Sequence, residues 1–88
     1  MHAFAFTPTD KDWKNNMAAL GSLTDEPAYQ GTVTVYLTDG RYSRGDTVYL
    51  MESKSYPAHI RLNTQHGQRR FQLAEVRMVT ATISFRHN

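Results

Sequence analysis

At 88 residues, with 40% apolar and 20% charged side chains and a net charge of +2, the chain has the size and composition of one soluble globular domain. It contains no cysteine, which excludes disulfides, thiolate metal sites and thiol nucleophiles. No apolar run approaches the ~20 residues that cross a bilayer, and the opening MHAFAFTPTDKDW has neither a basic leader nor a long apolar stretch, so the expectation is a cytoplasmic protein without membrane association.

Residues 3–6 are apolar and read as a strand or a segment packed on the core. Thr7-Pro8-Thr9-Asp10 has the chemistry of a helix start: a hydroxyl cap, proline at the first helical position and a carboxylate near the positive end of the dipole. Trp13, Met17 and Leu20 follow at i, i+4 and i+7, and Gly21 suits a helix end. The spacing predicts a helix over residues 8–20, with Trp13, Met17 and Leu20 as its core-facing stripe. Residues 22–30 read as a linker.

From Gly31 the pattern is β. Val33, Val35 and Leu37 alternate with Thr32, Thr34 and Tyr36, and Val48 and Leu50 resume the same phase, so residues 31–50 read as a first hairpin with Asp39-Gly40 and Arg44-Gly45 turning the chain. Such a strand, if left at a sheet edge, would permit a homodimer by strand pairing. Ala58, Ile60 and Leu62 alternate with His59, Arg61 and Asn63; His66-Gly67 makes a turn, and Phe71 and Leu73 alternate with Arg70 and Gln72. Val79, Ala81, Ile83 and Phe85 form the final run. The inward phase changes between Leu73 and Val79, which requires a bulge or short turn within residues 74–78.

This reading gives one α+β, mainly β domain over residues 1–88. An N-terminal segment (1–30) carries the helix, and residues 31–85 form a five-stranded antiparallel bent sheet or partial barrel. The runs GTVTVYLTDGRYSRGDTVYL, AHIRLNT, FQL and VTATISF resemble an SH3-like small barrel, as does Gly45-Asp46 just before a strand. The chain also resembles small accessory proteins of T7-like phages, chiefly through FTPTDKDWKNNMAALGSL. That resemblance implies infection of a bacterial cell as the setting and no named activity; many such proteins bind and modulate a host factor, which favours a binding role.

Charge is unevenly placed. Residues 1–30 hold two lysines against four carboxylates, a net −2, whereas residues 53–88 hold six cations against Glu75 alone, a net +5. Alternation puts His59, Arg61, Arg70 and Gln72 on one polar face, with Lys54, Tyr56, His66 and Arg69 in the loops at its ends. Guanidinium forks bind phosphate or carboxylate oxygens and nearby rings stack on bases, so these eight residues are the expected surface for nucleic acid or a host protein. The competing reading is a solvated face. Tyr36 and Tyr49, outward on the first hairpin, are a second candidate protein interface.

Little else carries chemistry. His2, His59, His66 and His87 lack paired ligand spacing, so no metal is expected. Arg44-Gly45-Asp46 spells an adhesion tripeptide but fits a turn before a strand. No nucleophile elbow or glycine-rich phosphate loop is present. The expected function is therefore non-enzymatic binding of a host macromolecule, without cofactor or catalytic residue. A nucleic-acid-binding module is the alternative, and a small hydrolase built on His59 and Glu75 is third.

Overall fold

Seven strands and one helix account for most of the residues described by the computed structural model, residues 2–86. In chain order they are β1 (His2–Phe6), α1 (Trp13–Thr24), β2 (Tyr29–Leu37), β3 (Tyr42–Gly45), β4 (Thr47–Ser53), β5 (Tyr56–Thr64), β6 (Gly67–Gln72), a 3-10 turn (Leu73–Glu75) and β7 (Val76–Phe85). They form two antiparallel sheets, one ordered β1-β7-β2-β3 and the other β4-β5-β6. The protein is thus mainly β with one helix, and its sheets hold four and three strands in place of the single five-stranded sheet expected.

Period-two alternation explains the shared core. Val33, Val35 and Leu37 of β2 and Val79, Ala81 and Ile83 of β7 are buried together with Val48, Ile60, Leu62 and Phe71 of the three-stranded sheet. Phe6, Met17 and Leu20 belong to the same cluster, and Trp13 packs partly buried against it. The helical stripe is therefore core, and the N-terminal segment shares its core with the strands. Full burial of side chains the size of Leu or Ile contributes about 1.5–3 kcal/mol each, the main favourable term in so small a chain.

The helix forms later than its sequence signals place it. The Asp10 carboxylate accepts the Thr7 backbone N–H at 2.8 Å and the Thr7 carbonyl accepts the Asp10 N–H at 3.0 Å, so residues 7–10 close a turn of their own. The helix then runs from Trp13, and Gly21 lies inside it. That glycine is buried against β4: a Cβ there would lie 3.3 Å from the Val48 carbonyl oxygen, so its small size serves close packing rather than a helix end. Asp25 ends the helix, its N–H donating to the Gly21 carbonyl at 3.2 Å.

The expected hairpin over residues 31–50 is also different. β2 pairs with β3, not β4, around a turn in which Gly40 takes φ 91° and the Leu37 N–H donates to the Arg41 carbonyl at 2.8 Å. The polar connection expected between two strands is thus itself a strand. The chain then leaves the first sheet at Gly45 and enters β4 in the second. Gly45 is needed there for room: a Cβ would collide with the Asn63 backbone carbonyl of β5. The homodimer edge expected over residues 31–38 is covered in its part at residues 33–36 by β3 on one side and β7 on the other.

The phase change after Leu73 has two parts. The 3-10 turn links β6 to β7, and Gln72 and Glu75 cap it reciprocally. A register shift then places Leu37 opposite Val76 but Tyr36 opposite Met78, so both Val76 and Val79 face the core.

Leu62→Ala should cost about 2–5 kcal/mol of stability through the cavity it leaves, and Gly45→Ala about 1–3 kcal/mol through overpacking at the change of sheet. Urea unfolding followed by circular dichroism measures both. A Gly45→Ala protein as stable as the parent would show that the backbone there relaxes freely.

Candidate functional site: a basic cleft on the three-stranded sheet

β5 is the centre of its sheet, and burying Ile60 and Leu62 on one side turns His59 and Arg61 to the other. The register then decides their neighbours. Arg61 lies opposite Tyr49 of β4 and Arg70 of β6, and His59 opposite Met51 and Gln72. The expected face is therefore formed, and His59, Arg61, Arg70 and Gln72 line one cleft of ≈ 510 Å³ together with Tyr56.

Arg61 is its best-defined member. Its guanidinium carbon sits 5.2 Å from the centre of the Tyr49 ring, a cation–π contact. Its Nε is shielded from solvent and makes no hydrogen bond. The Tyr49 hydroxyl in turn donates to the Asp25 carboxylate at the end of α1, at 2.5 Å. Helix, tyrosine and arginine form a chain of contacts that holds the guanidinium in place. Tyr56 supplies a second aromatic element: its ring, 41% exposed, lies 5.4 Å from the His59 imidazole at an interplanar angle of 52°.

Among the described residues no ion pair engages the two cleft arginines. The ion pairs among the described residues are Lys14–Glu52 and Arg41–Asp39, both on the surface and neither involving Arg61 or Arg70. Glu75 lines the cleft, but one carboxylate oxygen accepts the Gln72 backbone N–H at 2.8 Å and no hydrogen bond joins it to His59. His59 Nδ1 lies 3.4 Å from the Pro57 carbonyl oxygen. Among the described residues no group of three or more His, Asp or Glu side chains is placed to hold a metal ion, and His87 lies outside them.

Three of the eight candidate residues lie elsewhere. Lys54 is exposed in the β4–β5 turn. His66, in the β5–β6 turn, borders a separate hollow with Thr64, Arg44 and Asp46. Arg69 follows the inward phase of β6 opposite Leu62 and lays its guanidinium 5.4 Å over the Phe71 ring, where it covers the edge of the core.

Tyr36 and Tyr49 do not share a face. Tyr49 is held between Arg61 and Asp25, while Tyr36 is on the four-stranded sheet, 6.0 Å from the Tyr42 ring and 5.6 Å from the Arg77 guanidinium. Tyr42 is 57% exposed and carries Arg44 at 5.5 Å. Sequence reasoning did not bring Tyr42 and Arg44 to Tyr36 because β3 did not read as a strand, and Arg77 falls in the start of β7 where the inward phase changes; Tyr36 and Tyr42 being directly paired is a property of register alone.

No protein-family description, curated protein or solved structure matches this chain.

The Asp25 hydrogen bond, then burial and the Asp25 charge, raise the Tyr49 phenol above its ordinary pKa of 10.0. A raised value means that this contribution to stability is complete below pH 10 and is lost as pH climbs through the folded-state value, because the unfolded chain releases the proton first. Asp25→Ala should move one tyrosine ionisation to lower pH in an absorbance titration at 295 nm. It should also cost roughly 0.5 kcal/mol at neutral pH, the low end for a solvent-accessible hydrogen bond. An unchanged titration would mean that the bond does not persist in solution.

Proposed function

We propose that this chain is a non-enzymatic binding protein that docks on and modulates a host macromolecule through the basic, aromatic outer face of β4, β5 and β6. The observation that carries this reading is the convergence of Tyr56, His59, Arg61, Arg70 and Gln72 on one cleft in which two arginines face each other without a carboxylate partner. A fold gains nothing in stability from such a pair, whereas an anionic partner does. The net +5 of residues 53–88 supplies attraction over a longer range.

The SH3-like reading of residues 31–85 belongs to the same proposal. It is supported by the direct passage of β3 into β4 at Gly45-Asp46, which bends one sheet into the next without a long connection. The resemblance to phage accessory proteins supports a bacterial macromolecule as the target. Nucleic acid is the alternative target, and the Tyr56–His59 ring pair beside the arginines favours it.

Tagged wild-type protein, Arg61→Ala/Arg70→Ala and Tyr36→Ala are to be compared for the bacterial macromolecule that co-purifies at low salt. The double variant should retain at least about tenfold less, since each charge-assisted contact is worth roughly 1.5–3 kcal/mol. Tyr36→Ala, on the other sheet, should retain as much as the parent. The opposite pattern would move the docking surface to the four-stranded sheet and end the proposal for the cleft.

A further inference from the structure

Directly opposed residues of an antiparallel pair hold their Cβ atoms about 4.5–5.5 Å apart, and like charges there repel. Arg61 and Arg70 occupy such positions in the middle of the three-stranded sheet. Neither forms an ion pair among the described residues, and the Arg61 Nε is shielded from water without an acceptor. An oxyanion set between the two guanidiniums removes the repulsion, because a phosphate presents several oxygens to the exposed N–H groups of two planar forks.

The same cleft has a second, different end. Two residues along β5, about 6.8 Å by strand geometry, His59 stands opposite Gln72 with the Tyr56 ring beside it. An anion site and, two residues away, an aromatic wall made by the exposed Tyr56 ring with the His59 imidazole tilted against it are complementary to a phosphate and its own base. The ≈ 510 Å³ available lies within the range of small-ligand sites.

We infer that the cleft binds one nucleotide unit of single-stranded nucleic acid. The phosphate lies between Arg61 and Arg70, the base stacks on the exposed Tyr56 ring with the His59 imidazole at its edge, and the Gln72 amide faces the base edge. A duplex keeps its base faces covered, so only an unpaired strand can use the wall. An acidic peptide would satisfy the arginines but leave the wall empty. The Tyr49–Asp25 contact gives Arg61 a positioning partner from the helix, so the fork is set before the ligand arrives. This inference rests on the docking face proposed above and names the chemistry of its partner.

Fluorescence anisotropy with a labelled oligothymidylate, at 50 and 200 mM salt, tests it on the wild-type protein, Tyr56→Ala, Arg61→Lys and Arg61→Gln/Arg70→Gln. Unlabelled duplex and polyglutamate serve as competitors. Binding should weaken with salt. Tyr56→Ala should reduce affinity by roughly 5- to 150-fold, the worth of one stacked base. Arg61→Lys keeps the charge but not the fork and should lose about tenfold or more. The Gln/Gln variant gives up the Arg61–Tyr49 cation–π contact together with the repulsion, two small terms of opposite sign, so it should melt close to the parent without ligand, which separates lost binding from lost fold. Equal affinity in Tyr56→Ala and wild type, or duplex competing as well as single strand, would overturn the inference. Polyglutamate bound through the arginines with no oligothymidylate binding would overturn it while leaving the docking face intact. Failure of both ligands would overturn it too, and the co-purification experiment would then decide the docking face separately.

Discussion

Ile60 and Leu62 are fully buried at the centre of the core, and their position fixes the phase of β5. Because a strand alternates its side chains, their burial is also what turns His59 and Arg61 outward. The neighbouring strands inherit the constraint through register, Val48 opposite Leu62 and Phe71 opposite Ile60, so that Tyr49 and Arg70 follow Arg61 to the outer face. A one-residue slip in β5 would bury Arg61 and His59 and expose two large aliphatic side chains. The site is in this sense the reverse side of the core, specified by the same hydrophobic term.

The helix contributes to both sides. Met17 and Leu20 fill the core, while the polar boundary of α1 meets β4 at two points, Lys14 to Glu52 and Asp25 to Tyr49. These are unequal in consequence. A solvent-exposed ion pair such as Lys14–Glu52 contributes little. The Asp25 contact is of similar size in energy, but it fixes the ring on which Arg61 rests, and so its effect is on geometry at the cleft. The four-stranded sheet carries its own ladder of Arg77, Tyr36, Tyr42 and Arg44, which runs from the interior strands β7 and β2 to the edge strand β3.

The parts legible in the sequence are those governed by local periodicity. Alternation located β5, β6 and β7, the His66-Gly67 turn and the need for an irregularity before Val79, and it placed His59, Arg61, Arg70 and Gln72 on one face. Non-local facts were not legible. Nothing local shows that β3 ends one sheet and β4 begins another, because Gly45 reads as a turn residue when its role is to let two backbones approach. Thr7-Pro8-Thr9-Asp10 carries every mark of a helix start, yet the Asp10 side chain is used by the Thr7 amide. Arg69 looked like part of the basic face, but its phase along β6 sends it over Phe71.

The order of strands in the larger sheet has a consequence for how the chain is made. β7, the last of the described strands to be synthesised, lies between β1 and β2, pairing His2 with Ile83 and Tyr29 with Phe85. Until it is delivered, β1 has no partner in its sheet and the edge of β2 on that side is unpaired. The three-stranded sheet consists of consecutive hairpins and closes only short loops, so it is the part that can form first. The strand pairs with the largest sequence separation, β1 with β7 and β2 with β7, therefore carry the largest loop-closure cost of the fold.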